Sequence, residues 1–371
     1  MDFALDDDQI MLQEVLRTFF GSQVPDSAVR ARFDEPTGYD VRLWKRMAEE
    51  LGLQGLAIPE EYGGGGFSFF ELGLVLEEMG RVLLPSPFLG SCVMSAQLLL
   101  AIDDEAARGR LLPGIADGSV IVSVAFAEES GSWSTRDVTA TATSDGDGWR
   151  IDGRKSYVLD GHAADSYLVI ARASDGVGVF EVGGTAVGLT RTKSATMDLT
   201  RALAKVTFNS VPARRIGSAA ATETAIEVML DHTRIALAAD SLGGIGRVLD
   251  MAVEYAKTRE QFGRKIGSFQ AIKHKCASML MELEASRSAV YYALWAAAKG
   301  QADRPVVAPM VKAHCMDSYL AAAGENIQIH GGIGFTWEHP AHLYLKHARS
   351  SQALLGDSDL HRQILADRIG V

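Results

Sequence analysis

The chain has 371 residues, a length that predicts two or three domains because a single hydrophobic core rarely grows so large. Hydrophobic residues make up 47% and charged residues 22%, the balance typical of a globular protein in water. The net charge of −11 argues against a nucleic-acid-binding or anionic-membrane-binding surface. No apolar run reaches the ~20 residues of a membrane-spanning helix, and the acidic start is unlike a signal peptide, so we expect a cytoplasmic location.

The cysteines are odd in number and far apart in the chain: Cys92, Cys276 and Cys315. They form no Cys-x-x-Cys pair and no Cys/His cluster, so the sequence predicts no metal site. Free buried thiols are the expectation, and they fit a reducing compartment.

Residues 1–117 predict an N-terminal helical domain. Asp6, Asp7 and Asp8 suit a helix start ahead of a periodic apolar run. Further helices are predicted at 40–52, 70–81 and 92–110. The four glycines at 63–66 predict a flexible loop, since no Lys-Ser/Thr follows them as in a phosphate-binding P-loop.

Residues 118–214 predict a middle antiparallel β domain, a small sandwich or barrel, because short β-branched or alternating stretches are punctuated by Gly, Asp and Ser. These stretches are Val120–Ala127, Val138–Thr143, Tyr167–Ala173 and Lys205–Asn209. Helical periodicity returns over residues 215–371 and predicts a helical bundle. One apolar helix face is predicted to contain Met279, Leu280, Leu283, Val290 and Leu294. The fold class is therefore α+β.

Two segments carry chemistry suited to a cofactor. The first runs from Arg259 through Gln261, Phe262 and Gly263 to Gln270, and its planar guanidinium suits a pyrophosphate while glutamine can fix a sugar or adenine edge. The second, residues 328–335, places paired glycines after Gln328, which permits close backbone approach by a ligand. Either segment alone is also compatible with an ordinary helix end.

Together with the α, β, α order, these segments make the chain similar to the acyl-CoA dehydrogenase family over nearly its full length, with a weaker element at residues 59–64. The resemblance implies FAD as cofactor, a C-terminal four-helix bundle, and tetramers built as a dimer of dimers. It also implies that both segments reach across an interface to the ADP half of a neighbouring subunit's FAD. By motif, the cofactor-binding residues would be Arg259, Gln261, Phe262, Gln270, Gln328, Gly331 and Gly332.

The catalytic base expected from this resemblance is missing. In the family a carboxylate removes the α proton of an acyl thioester while the β hydride goes to flavin N5. Most members supply a Glu just before the final helix, where this chain has Gly356; a minority use the first bundle helix, at a position that matches Thr233. Neither position carries a carboxylate, so no catalytic residue is predicted on this chain.

The strands that contact the flavin ring in the family also differ here. A Thr is usual at the position of Ala127, and another Thr at the position of Leu159. Each lost hydroxyl removes a hydrogen bond to the ring, typically worth ~0.5–1.5 kcal/mol net. The segments for the neighbour's ADP half are thus kept, whereas those for the chain's own flavin ring are changed.

Three hypotheses follow. The first is a non-catalytic subunit that pairs with a related, Glu-bearing acyl-CoA dehydrogenase subunit in an α2β2 heterotetramer. It resembles assemblies of actinobacterial steroid side-chain degradation, with an acyl-CoA substrate and an electron-transfer flavoprotein as oxidant. The second is a homotetramer with a relocated base, for which the available carboxylates are Asp160, Asp231, Glu254, Asp357 and Asp359. The third is a scaffold that keeps the fold without flavin.

The histidines suggest no separate chemistry. His162, His232 and His361 form no recognisable nucleophilic set, since no GxSxG elbow accompanies them. His330 lies in the glycine-rich segment, where a bundle-core or surface role is favoured over ligand contact. By resemblance, Arg234 matches a position that contacts the acyl-CoA region.

Overall fold

The computed structural model describes residues 5–371 and divides them into two compact units. The helical unit comprises the chain up to Arg30, Phe69–Leu84 and Arg234–Val371. The β-containing unit comprises Ala31–Ser68 and Pro85–Thr233. Each is described separately below, and the domain boundaries at 117/118 and 214/215 stay a prediction.

Helices dominate both ends of the chain. They are α1 (Asp7–Gln23), α2 (Asp26–Ala31), α3 (Val41–Leu51), α4 (Phe69–Val82), α5 (Ala96–Ala101), α6 (Glu105–Ala116), α7 (Ala219–Thr258), α8 (Gln270–Ala298), α9 (Arg304–His330), α10 (Ala341–Ala353) and α11 (Ser358–Ile369). The strands between them are β1 (Val122–Ala125), β2 (Thr141–Asp145), β3 (Gly148–Leu159), β4 (Ser166–Ala173), β5 (Gly176–Gly183), β6 (Leu189–Lys193) and β7 (Leu203–Ile216). This order confirms the predicted fold class.

The strands of the β-containing unit form a closed hydrogen-bonded ring, with β4, β2, β3, β7 and β5 as successive neighbours and β5 pairing back to β4. The barrel form of the prediction is thus the one observed. Most pairs are antiparallel, while β1–β4 and β2–β4 are parallel. Strands β3, β5 and β6 were not predicted individually, because glycines and charged residues interrupt their alternation.

Two local predictions were wrong. The predicted helix over 92–110 is instead a π-helical turn over Leu89–Ser95 followed by α5 and α6. The break occurs because the Asp104 carboxylate caps α6, accepting a hydrogen bond from Ala107 N at 2.8 Å. The glycine cluster is a packed turn rather than a loose loop: Gly65 N donates to Gly55 O at 2.9 Å, and a Cβ on Gly64 would overlap the Ile58 carbonyl.

The core of the helical unit depends on close helix contacts. A Cβ on Gly243 of α7 would overlap the backbone carbonyl of Glu77 on α4, so these helices touch backbone to backbone. On α8, Met279, Leu283, Val290 and Leu294 are buried as predicted. Leu280 is exposed instead, together with Met281, because both lie outside the stripe that faces the unit's own core.

Burial of Glu77 on α4 should make the stability of the protein pH-dependent. Tyr291 Oη donates to Glu77 Oε2 at 3.0 Å. Burial, and then the neighbouring Glu78, raise the pKa of Glu77 from its ordinary 4.5 to about 7, against the opposing effects of Tyr291 and Arg287. The folded protein therefore holds a proton that the unfolded chain releases between these values, and stability falls as pH rises through that window.

We expect Glu77→Gln to stabilise the protein at pH above 7 by up to about 3 kcal/mol and to change little below pH 4.5. Thermal unfolding across pH measures this. The matched control is Glu78→Gln, which should destabilise the fold near neutral pH because Glu78 accepts from Arg17 at 2.6 Å. A Glu77→Gln curve parallel to that of the unmodified protein at every pH would contradict the expectation.

No helix within residues 5–371 combines the length and apolar character needed to cross a bilayer. Over the same residues, no group of three or more His, Cys, Asp or Glu side chains is arranged to hold a metal ion. Cys92 and Cys315 are buried and Cys276 is partly buried, all as free thiols. Burial raises the pKa of Cys315 to about 12, so its thiol stays protonated.

Candidate functional site

The end of α7 presents Arg259 on a short hairpin, formed by β8 (Glu260–Gln261) and β9 (Arg264–Lys265). Arg259 N donates to Tyr255 O at 2.8 Å, and Ile266 N donates to Arg259 O at 2.9 Å, which ties the hairpin to the last turn of α7. Phe262 and Gly263 have φ of 54° and 76°, the left-handed pair that a tight hairpin turn requires. Phe262 is consequently 92% exposed.

The Arg259 guanidinium is the available cation of this hairpin. It is exposed and has no hydrogen-bond or ion-pair partner among residues 5–371. Its neighbours are engaged: Lys265 pairs with Glu260 at 2.8 Å, and the Arg264 guanidinium lies 4.1 Å from the centre of the Phe269 ring. Arg259 can therefore accept an anion without first losing a partner.

The glutamines of the first segment are also at the surface. The Gln261 side chain donates to the Glu260 carbonyl at 2.9 Å, and the Gln270 amide contacts His274 at 2.9 Å. Both bonds are local and exposed, so both carboxamides can turn to a ligand at small cost.

The second segment forms the end of α9. Gln328, Gly331 and Gly332 are exposed, and Gly331 has φ of 63°. A Cβ added to Gly331 or Gly332 would meet nothing within 4 Å, so this backbone is open to another molecule. A free guanidinium, exposed carboxamides and open glycine backbone together fit the diphosphate and adenosine of FAD.

The structure brings the two segments together on the helical unit. The ring of Tyr255, one turn before Arg259, stacks on the ring of His330 with centres 4.4 Å apart. His330 directly precedes Gly331 and is buried, which confirms the favoured core role over ligand contact. Tyr255 was missed from the sequence, although its position four residues before Arg259 on α7 could have indicated it.

The turn before α11, where most family members carry the base, is closed against a side chain at position 356. Leu355 and Gly356 have φ of 63° and 98°, left-handed values that favour glycine at the second position. A Cβ on Gly356 would overlap the Leu360 side chain, whose Cγ would lie only 3.3 Å away. The buried Lys312 fixes the turn by donating to the carbonyls of Ser351 at 2.9 Å and Gly356 at 3.4 Å.

Lys312 was also missed from the sequence. A single lysine among the apolar residues of α9 was the available signal, since a fully buried lysine needs hydrogen-bond acceptors from elsewhere in the fold. The other base position, Thr233, is buried, and its Oγ1 donates to Met229 O at 2.7 Å within the same helix. Neither position supplies a proton acceptor.

Most of the alternative carboxylates have structural roles. Asp357 caps α11 by accepting from Leu360 N at 2.9 Å, as predicted. Asp359 pairs with Arg362 at 2.8 Å on the surface, and Glu254 is exposed. Asp231 is buried.

Asp160, in the β-containing unit, differs from the other carboxylates. It lies just after β3, is 5% exposed, and has φ of 50°. Burial raises its pKa to about 8, although Arg201 and Lys193 act to lower it. The carboxyl group is therefore protonated at neutral pH.

The strands that would face a flavin ring carry no hydroxyl at the two substituted positions. Ala127 and Leu159 are buried, and their backbone carbonyls accept from Ser156 N and Ser123 Oγ, each at 2.8 Å. Next to Ala127, Lys155 is fully buried and donates to Glu128 at 2.9 Å. This ion pair was not predicted, because lysine on an alternating strand usually faces water.

The histidines outside the glycine segment do not combine within the described chain. His162 bonds to the Thr37 carbonyl at 2.9 Å, and His232 bonds to the Val228 carbonyl at 2.8 Å. Burial lowers the pKa of His361 to about 2, so it stays neutral. The predicted absence of a nucleophilic set agrees with these separate local roles.

Comparison with known proteins identifies the family. The family description "Acyl-CoA dehydrogenase, N-terminal domain" matches residues 6–119, and "Acyl-CoA dehydrogenase, C-terminal domain" matches residues 223–370. The chain is 34% identical over 348 residues to acyl-CoA dehydrogenase IpdE2 of Mycobacterium tuberculosis (strain ATCC 25618 / H37Rv), covering 93% of this chain and 92% of that protein. This chain belongs to the acyl-CoA dehydrogenase family.

Solved structures agree with this assignment. The acyl-CoA dehydrogenase described as the Tcur3481-Tcur3483 steroid ACAD is 33% identical, with a TM-score of 0.88 over 98% of both chains. The ChsE4-ChsE5 complex from Mycobacterium tuberculosis contains a chain that is 25% identical, with a TM-score of 0.90 over 100% of this chain and 99% of that one. The family resemblance predicted from the two motifs is confirmed, whereas the individual residue roles stay predictions.

Proposed function

We propose that this acyl-CoA dehydrogenase family member is a subunit without its own catalytic base, which completes the FAD site of a related, Glu-bearing subunit. The observation that carries the proposal is the turn at Gly356. Its backbone is left-handed, and the Leu360 side chain occupies the space into which a residue at 356 would project. With Thr233 bonded within α7, neither family position offers a base.

The residues on the helical unit support a role toward the ADP half of FAD. When bound, FAD would supply the acceptor for the hydride leaving the β carbon of an acyl thioester. Arg259 would hold the diphosphate, Gln261, Gln270 and Gln328 would donate to polar groups of the nucleotide, and Gly331 and Gly332 would allow close approach. All of these groups are exposed in the single chain, as a site completed across an interface requires.

Exposed apolar side chains support a partner subunit. Leu280 and Met281 on α8 and Phe262 on the hairpin are all exposed, and apolar groups of this kind are favourably covered by another chain. The ChsE4-ChsE5 complex and the steroid ACAD among the similar structures favour an α2β2 assembly acting on a bulky steroid side-chain CoA. An electron-transfer flavoprotein would reoxidise the flavin, in the cytoplasm.

Co-expression tests this proposal. The chain alone should be purified without flavin, and co-expression with a family subunit that carries the Glu should give a yellow heterotetramer with as many FAD molecules as partner subunits. Native mass and flavin absorbance measure both. A yellow, active homotetramer of this chain alone would refute the proposal. Absence of flavin from every combination would instead support the scaffold hypothesis.

Restoring a glutamate is expected not to restore catalysis. Gly356→Glu must place a β carbon at a left-handed φ and displace Leu360, which costs on the order of 1–3 kcal/mol for each effect. Because Ala127 and Leu159 also lack hydroxyls, the variant alone should show no acyl-CoA-dependent dye reduction. Gly356→Ala separates the backbone cost from the effect of the carboxylate. Activity in Gly356→Glu, or in Gly356→Glu with Leu360→Ala, would show that only the base was missing.

One observation favours a second candidate, the homotetramer with a relocated base. Asp160 is a desolvated carboxyl group whose pKa is raised to about 8, a property that general bases share. In that case the chain alone would be active, its rate would rise with pH through about 8, and Asp160→Asn would abolish it. An inactive chain whose heterotetramer is unaffected by Asp160→Asn would exclude this candidate.

A further inference from the structure

A buried stack of three rings lies beneath the candidate FAD surface of the helical unit. The Tyr255 and His330 rings are 4.4 Å apart and nearly parallel, at 26°. The His330 and His339 ring centres are 4.3 Å apart at 45°. We refer to Tyr255, His330 and His339 as the ring stack.

Each ring belongs to a different part of the surface. The Tyr255 carbonyl accepts from Arg259 N at 2.8 Å, so this residue anchors the hairpin. His330 Nδ1 bonds to the Asn326 carbonyl at 2.8 Å and directly precedes Gly331. His339 Nδ1 accepts from Ala341 N at 3.2 Å and thereby fixes the start of α10. The stack is the contact through which the end of α7 meets the end of α9.

We propose that the ring stack is a positioning device, which fixes the Arg259 hairpin relative to the Gln328–Gly332 backbone and so sets the affinity for FAD. The inference rests on the proposed function, since it assigns the preorganisation of that same surface. A ligand that bridges two segments binds more tightly when their spacing is set beforehand, because less freedom is lost on binding. The stacked rings themselves lie behind the surface and need not touch the cofactor.

The two imidazoles make this device sensitive to pH. Burial lowers the pKa of His330, and burial followed by repulsion from His330 lowers that of His339. The charged or titratable groups around the stack are Asp26, Arg30, Glu338, His342 and Lys346. Of these, Asp26 alone acts to raise the pKa of His339, while Arg30 lowers it.

The direction of the pH effect follows from these shifts. An opened stack would expose its histidines to water, where they take up a proton near the ordinary value of 6.5. The closed stack binds fewer protons, so acid favours opening as pH falls below that value. FAD affinity should therefore decline on the acid side of 6.5, with repulsion between two charged rings 4.3 Å apart adding to the effect.

The test measures FAD binding to the flavin-stripped heterotetramer by fluorescence titration at about pH 7.5 and about pH 5.5. Tyr255→Leu keeps the volume but removes the stack, and should weaken binding about tenfold at the higher pH. Tyr255→Phe keeps the ring and should retain the original affinity. His330→Phe keeps the stack without a titrating group, and should retain affinity at the higher pH while losing most of the acid decline.

The outcomes separate this inference from the proposed function. Equal affinity of Tyr255→Leu and the unmodified complex, or a Tyr255→Phe variant as weak as Tyr255→Leu, would overturn the ring-stack proposal. If Tyr255→Leu does not fold, an unchanged acid decline in His330→Phe overturns it. If Arg259→Ala leaves FAD affinity unchanged, the proposed function itself fails.

Discussion

Arg259→Ala should weaken FAD binding to the heterotetramer by about 10- to 100-fold, because hydrogen bonds to a charged group are worth ~1.5–3 kcal/mol. The guanidinium has no competing partner among residues 5–371, so the whole of its interaction is available to the diphosphate. Its backbone is held by Tyr255 and Ile266, and this scaffold survives the substitution. Titration of the flavin-stripped complex with FAD, alongside native mass, measures the loss.

The chain offers a matched control on the same hairpin. Arg264 is equally exposed, but its guanidinium lies over the Phe269 ring, so Arg264→Ala removes a cation without removing the predicted ligand. It should leave FAD affinity within about twofold of the unmodified complex. Arg259→Lys should be intermediate, since lysine keeps the charge and loses the planar fork. Equal losses in Arg259→Ala and Arg264→Ala would indicate a general charge effect rather than a diphosphate ligand.

Lys155→Met is the substitution with the largest expected effect on stability. Lys155 is 0% exposed and donates to Glu128 at 2.9 Å and to the Phe126 carbonyl at 2.8 Å. Burial alone would raise the pKa of Glu128, but hydrogen bonds from Thr139 and Ala140, together with Lys155, lower it to about 2. Removing the lysine leaves that carboxylate charged and unpaired, at a cost of about 3–5 kcal/mol.

The corresponding fall in the melting temperature of the protein is on the order of 10 °C. The control is Lys205→Met, the same change at an exposed position on β7, which should cost less than about 0.5 kcal/mol. Adding Glu128→Gln to Lys155→Met should recover part of the loss, since the stranded charge is removed. Because the folded pKa of Glu128 is depressed, its contribution is present above about 4.5 and declines as pH falls toward 2. Equal melting of the Lys155 and Lys205 variants would show that the pair contributes nothing.

Much of the fold could be predicted because its signals are local. Helical and strand periodicities are properties of a few consecutive residues, so the α, β, α order, the start of α1 at its Asp6 cap and the Asp357 cap were correct. The failures occurred where tertiary contacts override local preference. The glycines after Tyr62 look flexible in isolation, but they pack against Ile58, and Leu280 faces outward although it fits an apolar stripe.

By itself, the sequence determined the family, the two cofactor segments and the missing base, because motifs and a substituted position are visible in the order of residues. Only the tertiary structure decided how these features act. The stacking of Tyr255 on His330, the anchoring of the Gly356 turn by Lys312, and the burial of Asp160 depend on residues distant in the chain. Burial and distance set pKa values and free space, and neither quantity is encoded at a single position.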